Sequence, residues 1–270
     1  MIEIALAFLA GLLIGSFLNV CVYRLPRDLS VIQPARSFCP FCEKTIAWYD
    51  NIPVLSYVVL RAKCRHCGAH IPLRYPVVEL ATAIAFGICV AVFGLTPQAL
   101  KYALFSAIMI ALIASDFEER ILPDEFTLGG ALLGFILAWF VPLRGEFALL
   151  MVPYSWGPRW ISLVESLIGG AVSSGSIWLA GWLYEKIRHR EGLGFGDVKM
   201  IFMIGAFLGL PAALLSLIAA SLIGAVGGLL YIYFAGKDAS TYELPFGSFL
   251  GAAGLAIAVY TEVFARLHPR

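Results

Sequence analysis

Two aspartates and four cysteines are the residues of this chain best suited to chemistry. Asp197 stands in Gly194-Phe195-Gly196-Asp197-Val198-Lys199, a glycine-rich turn that leads directly into a long apolar stretch. An acid at the edge of such a stretch is costly in a bilayer, so it is a functional candidate by default. Asp116 ends another apolar run, and Asp124 follows in Leu122-Pro123-Asp124. Two carboxylates brought together cannot both ionise cheaply, so one keeps a proton while the other can take one from water. Peptide hydrolysis by an aspartyl pair needs that division, a base toward water and an acid toward the carbonyl oxygen. Asp116 is the favoured partner of Asp197, because the apolar residues before it hold it at the membrane edge. Asp124, between Pro123 and Glu125, fits a helix N-cap instead. Asp197 also fits an N-cap, a role compatible with catalysis. Gly194 and Gly196 are expected to permit close backbone approach and unusual dihedrals. Lys199 is placed either to snorkel to the interface or to tune the pair. For Glu79, snorkelling is the plainer account, with contact to the cysteine loop or the acid site as the alternative.

The cysteines form two knuckles, Cys39-Pro40-Phe41-Cys42 and Cys64-Arg65-His66-Cys67. Two intervening residues let both sulfurs reach one ion, and four thiolates fill a tetrahedral zinc site with no open position. The expected role is structural, pinning a loop too small to build its own core. Paired disulfides are the alternative, disfavoured in a reducing compartment. A redox pair is disfavoured by the doubling of the knuckle and the lack of a thioredoxin-like context. His66 and His70 are competing ligands by position, although solvated roles are plainer. Cys21 and Cys89 lie within apolar runs, where small buried thiols are inert.

The elements that position these groups are apolar spans. Of the 270 residues, 60% are hydrophobic and 14% charged, more apolar surface than a soluble domain needs. The expected fold is an all-α polytopic membrane protein of about eight transmembrane helices. A small cytoplasmic four-cysteine metal-binding subdomain lies between helices 1 and 2. The spans fall at about 2–22, 76–94, 97–115, 126–143 and 161–184, then two from the stretch 198–234 broken near Gly209-Leu210-Pro211, and one from Pro245-Phe246-Gly247 to about 264. From Arg24 through Arg74, both included, eight Lys/Arg stand against three acids, which places this loop in the cytoplasm and the N-terminus outside. The cluster Lys186-Ile187-Arg188-His189-Arg190 marks a second cytoplasmic loop, and a polar loop runs from Gly236 to Glu243. The first run lacks a basic n-region and continues into a basic segment, so it reads as a retained span and not a cleaved signal. Three divisions result: 1–23 as the first span, 24–75 as the cysteine loop, and 76–270 as a membrane peptidase domain.

A net charge of +1 excludes the basic surface expected of a nucleic-acid partner. The four histidines, at 66, 70, 189 and 268, all lie in loops or the tail, and no His-Glu-x-x-His occurs. Serine-protease and catalytic-zinc chemistry are weakened accordingly. The turn Gly192 to Gly196 lacks the Lys-Ser/Thr ending and preceding strand of a phosphate loop.

Taken in order, these motifs resemble the type IV prepilin peptidases, the prepilin leader peptidase/N-methyltransferases. Gly15-Ser16-Phe17-Leu18-Asn19-Val20 with Tyr23-Arg24-Leu25-Pro26 is similar to the family's N-terminal signature. Asp50-Asn51-Ile52-Pro53, Lys63 to Gly68, and Arg74-Tyr75-Pro76 with Glu79 resemble its cysteine-loop segment. Asp116 with Leu122-Pro123-Asp124 resembles the first acidic motif. Gly194 to Lys199 resembles the Gly-x-Gly-Asp motif shared with presenilin-like proteases, and Pro245-Phe246-Gly247 the motif leading into the last span. The resemblance implies cleavage of the basic leader of a prepilin or pseudopilin, ahead of its apolar helix, at the cytoplasmic face of the bacterial inner membrane. It implies Asp116 and Asp197 as the catalysts. It also implies methylation of the new N-terminus by S-adenosylmethionine, although no glycine-rich fingerprint for that cofactor occurs. The acidic loop after Asp116, with Glu118 and Glu119, suits a basic leader. Two rival classes stand beside this reading: a proton-coupled transporter using the same acids, and a non-catalytic scaffold for pilus assembly with the cysteine loop as a docking module.

Overall fold

The protein is described by a computed structural model over residues 1–189, 194–235 and 245–267. Arg190, Gly192, Leu193, the expected polar loop 236–243 and His268 lie outside the described residues. Among the described residues the fold is all-helical, apart from two isolated antiparallel bridges. The helices are α1 (Ile2–Arg24), α2 (Leu55–Val59), α3 (Arg74–Phe93), α4 (Pro97–Glu119), α5 (Asp124–Phe140), α6 (Pro158–Arg188), α7 (Phe195–Leu208), α8 (Leu210–Ala235) and α9 (Phe246–Leu267). Every expected span coincides with a helix. Five of them, α1, α3, α4, α6 and α8, are long and apolar enough to cross a membrane, and α9 contributes a shorter apolar stretch. The protein is thus a multi-pass membrane protein.

The chain packs as two compact units, residues 1–115 and 116–270. This division falls within α4, whereas the expected boundary at 76 followed the end of the cysteine loop.

In the first unit α1 lies against α3 through Gly11 and Gly15, four residues apart and so on one helix face. A Cβ on Gly11 would stand 2.6 Å from the Cα of Ala83, and one on Gly15 2.7 Å from the Cα of Glu79. Only glycine admits that approach. The buried amide of Asn19 donates to the carbonyl of Tyr75 at 3.0 Å and ties the same two helices. The expected turn at Gly94-Leu95-Thr96-Pro97 is present. Gly94, at φ +68°, closes α3, and the Thr96 hydroxyl accepts from the Ala99 N–H at 3.3 Å to cap α4.

The second unit is built the same way around α6 and α7. A Cβ on Gly169 would lie 2.6 Å from the carbonyl oxygen of Gly205. Buried Ser166 donates to the Ala206 carbonyl at 2.6 Å, and Ser173 to that of Ile201 at 3.3 Å, so hydroxyls as well as glycines hold the crossing. The break expected near Gly209 is observed: Gly209, at φ +82°, separates α7 from α8. Glu165, fully buried in α6, accepts from the N–H groups of Phe147 at 2.9 Å and Ala148 at 2.8 Å. Its carboxylate thereby fixes the loop between α5 and α6.

Candidate active site and metal centre

In the second unit, three loops converge on the end of α4. Asp116 is 6% exposed near that end. The first turn of α9 presses against it: a Cβ on Gly247 would lie 3.0 Å from the Asp116 Cγ. Ser248 donates twice to Asp116 Oδ2, from its backbone N–H at 2.6 Å and from its hydroxyl at 2.7 Å. The side chain of Leu122 fills the space between the turns. It would meet a Cβ on Gly247 at 3.1 Å and one on Gly196 at 3.2 Å. Gly196 belongs to the turn that carries Asp197, and the two carboxylates are near enough to act on one another electrostatically. The structure therefore brings Asp116, Asp197, Gly196 and Gly247 together.

Several local expectations are revised. Asp197 is not the cap of its helix. Gly194 occupies that place, and Asp197 lies in the first turn, its N–H donating to the Gly194 carbonyl at 3.1 Å. Neither Gly194 nor Gly196 has a left-handed φ, so unusual dihedrals are not why glycine stands there. Gly196 is needed for space against Leu122. Asp124 is the first residue of α5 with Pro123 at the cap, and its carboxylate accepts from Lys199 at 2.6 Å. Lys199 is thus an ion-pair partner linking the starts of α5 and α7, and its ammonium also lies 5.1 Å from the centre of the Phe195 ring.

The first unit carries the four-cysteine group. The Sγ atoms of Cys39, Cys42, Cys64 and Cys67 all lie within 4.8 Å of one another, and those of Cys39 and Cys67 are 3.8 Å apart. Ligands at 2.3 Å from a tetrahedral ion stand about 3.8 Å apart, so the set fits a metal of zinc's size. All four are free thiols, against the disulfide alternative. The two knuckles repeat one backbone. Cys39 N–H donates to Lys44 and Glu43 N–H to Cys39, while Cys64 N–H donates to Ala69 and Gly68 N–H to Cys64. Bridges Phe38 to Thr45 and Lys63 to His70 close the two hairpins at matching positions. Glu43 at φ +57° and Gly68 at φ +72° occupy the same left-handed place, glycine being used in one knuckle only. Backbone N–H groups of Cys67 and His66 donate to the Cys64 sulfur and lower its thiol to about 7. Although the Ala69 N–H favours its thiolate, Cys67 is pushed up to about 11 by burial and by the neighbouring sulfurs. A group whose first thiolate opposes the rest is what a dication relieves.

Polar tethers fasten this group to the helices. Arg65, inside the second knuckle, pairs bidentately with Asp50 at 2.7 and 2.6 Å, which holds the Asp50 carboxyl below the usual range. Asp50 lies in the turn 48–51, followed by Val54, whose N–H donates to Glu79 Oε2 at 2.7 Å. Ser16 on α1 bonds the same carboxyl. Glu79 is buried at 7% exposure, so it reaches the loop and does not snorkel.

Sequence reasoning passed over the burial of several charges, Arg24 and Glu165 among them. Arg24, expected only as a topology marker and as part of the N-terminal motif, is 3% exposed, and its guanidinium donates to the carbonyls of Ser30, Val31, Pro34 and Arg36. It organises the approach to the first knuckle. Glu165 was discoverable as an acid inside an apolar span. Ser248 carried no signal beyond following Pro245-Phe246-Gly247.

The fold and site define a multi-pass membrane protein with a paired-carboxylate centre and a four-thiol centre in separate units. Comparison with known proteins resolves the class further. Residues 9–93 match the bacterial peptidase A24 N-terminal domain, and residues 103–229 match the type IV leader peptidase family. A prepilin leader peptidase/N-methyltransferase of Pseudomonas putida is 32% identical over 97% of this chain and 92% of its own length. The type 4 prepilin-like proteins leader peptide-processing enzyme of Escherichia coli is 33% identical over 96% and 94%. A prepilin leader peptidase/N-methyltransferase of Myxococcus xanthus is 39% identical over 85% of this chain, which spans 63% of that longer relative. The chain belongs to the type IV leader peptidase family. No solved structure matches it.

Proposed function

We propose that the protein is a membrane aspartyl endopeptidase that removes the leader from type IV prepilins or pseudopilins and N-methylates the residue exposed. The observation that carries the peptidase assignment is the meeting of Asp116 and Asp197 around Leu122 and Gly247, in the unit that matches the leader peptidase family. One carboxylate takes a proton from water, and the resulting hydroxide adds to the scissile carbonyl carbon. The other, protonated, donates to the carbonyl oxygen. Collapse of the tetrahedral adduct breaks the C–N bond, and the departing amine takes up a proton from the pair. The Lys199–Asp124 bond supports the turn that carries Asp197.

The four thiolates hold a structural zinc, a closed site with no catalytic position. S-adenosylmethionine supplies the methyl group for the new amine. Residues 24–75 form the region serving that transfer, and residues 76–270 the peptidase. The substrate is a precursor with a basic leader ahead of an apolar helix. Glu118 and Glu119, beside Asp116, favour its approach. The bias of Lys and Arg in residues 24–74 favours eight spans with both centres at the cytoplasmic face of the bacterial inner membrane. A transporter gives the thiol centre no task, and a scaffold gives the paired acids none.

The deciding experiment is mass spectrometry of a prepilin incubated with the purified protein in lipid, with and without S-adenosylmethionine. The wild type releases the leader, and the product gains one methyl mass when the donor is present. Asp197→Asn lowers cleavage by about 10³-fold or more while the protein remains folded. Normal cleavage by that variant would sink the assignment.

A further inference from the structure

We infer that Ser248 is the positioning residue of Asp116, so that the first turn of α9 sets which oxygen of that acid faces the reaction. The inference rests on Asp116 and Asp197 being the catalytic pair. Its basis is the two donors of one residue placed on one atom: the Ser248 N–H and O–H both end on Asp116 Oδ2, at 2.6 and 2.7 Å. An aspartate side chain has two rotatable torsions, and two bonds from a fixed backbone site constrain both. Oδ1 is then the oxygen left to meet water or the substrate carbonyl.

The surroundings make the constraint rigid. Gly247, the residue before Ser248, lies so close to the Asp116 Cγ that a Cβ would stand at 3.0 Å, which seats the turn directly against the carboxyl. Leu122 blocks the other side, touching the Gly247 and Gly196 positions at once. Rotation of Asp116 away from Ser248 would drive it into one of these. Ser248 has no role in proton transfer here. It acts through Asp116, and its effect falls on the productive orientation of the attacking group.

The test measures kcat and KM for leader removal from a purified prepilin, with the enzyme in lipid, for the wild type, Ser248→Ala, Ser248→Thr and Asp116→Asn. Ser248→Ala keeps the N–H bond and loses the hydroxyl bond, so kcat falls about tenfold with KM changed less than about twofold. Ser248→Thr retains both donors and recovers kcat to within about threefold of the wild type. Unfolding followed by tryptophan fluorescence identifies any variant whose loss is a folding defect. Wild-type kcat for Ser248→Ala, a rise in KM alone, or a threonine variant as slow as the alanine one would overturn the inference. Should Ser248→Ala fail to fold, Ser248→Cys, near in size but a weak donor, takes its place in the same comparison with the threonine variant. Asp116→Asn separates the two claims: full activity in that variant removes the catalytic pair itself, whereas an inactive Asp116→Asn beside a fully active Ser248→Ala removes only the role of Ser248.

Discussion

The two units of this protein reach order by different means. Residues 24–73 of the first unit carry no helix longer than α2, and their shape is held by crosslinks of polar atoms. Arg24 gathers four carbonyls, Arg65 grips Asp50, Glu79 takes the Val54 N–H, and four sulfurs close on one point. The second unit holds its centre by helix contact. Gly169 and Gly205 let α6 and α7 touch backbone to backbone, and Ser166 and Ser173 stitch the crossing with hydroxyls. Irregular backbone has no ladder of its own to satisfy its polar groups, so side chains and an ion must do it. Regular helices satisfy themselves and need only close approach. The first kind of order can be removed by a chemical change, the second only by a change of shape.

Chelation is the strongest way to break this contrast. Withdrawing a metal from the four thiolates removes on the order of 10 kcal/mol of local organisation. Limited proteolysis then cuts between about residues 30 and 70, while α6 to α9 stay protected. Equal loss of protection in both units would mean that the second also depends on the ion.

A substitution at the α6–α7 crossing comes next. Gly205→Val places side-chain atoms against the backbone of Gly169, and the cost is about 3 kcal/mol or more. The expected readout is a lower unfolding temperature with metal content unchanged. A variant as stable as the wild type would show that this crossing yields more easily than its contacts indicate.

The smallest effect belongs to the exposed tether of the second knuckle. The Arg65 guanidinium lowers the Asp50 carboxyl, so the folded state binds its proton more weakly than the unfolded one. The stabilisation is fully present above about pH 4 and is lost as pH falls through the lower folded value. The protection of the amides of residues 48–54, taken relative to the intrinsic exchange rate at each pH, accordingly falls below about pH 4 in the wild type. Arg65→Ala exchanges quickly already at neutral pH, and its profile flattens. Solvent exposure keeps the change small.

Much of this was legible in the sequence because the decisive signals are local. Hydropathy located every long helix, and the Gly209-Leu210-Pro211 break was visible as a glycine beside a proline. The spacing of the cysteines gave the four-thiol group directly. What escaped were side chains whose roles depend on distant partners. Arg24 looks like any cation after a span, and only the path of residues 30–36 around it buries the charge. Glu79 looked able to snorkel until Gly11 and Gly15 brought α1 against its helix. Asp124 and Lys199 each had a plausible local role, and the observed one joins positions 75 residues apart. Ser248 bonds an acid 132 residues earlier, a separation that no periodicity reports.

The shortness of α7 bears on where its first turn can stand. Its fourteen residues end at Gly209, so it reaches about 21 Å, against a hydrocarbon layer of about 30 Å. Met200, Ile201, Met203, Ile204, Ala206 and Phe207 are fully buried in the protein, so α7 is solvated by its neighbouring helices and not by lipid. A helix enclosed in this way need not match the thickness of the layer, and the turn that carries Asp197 is placed by protein packing alone.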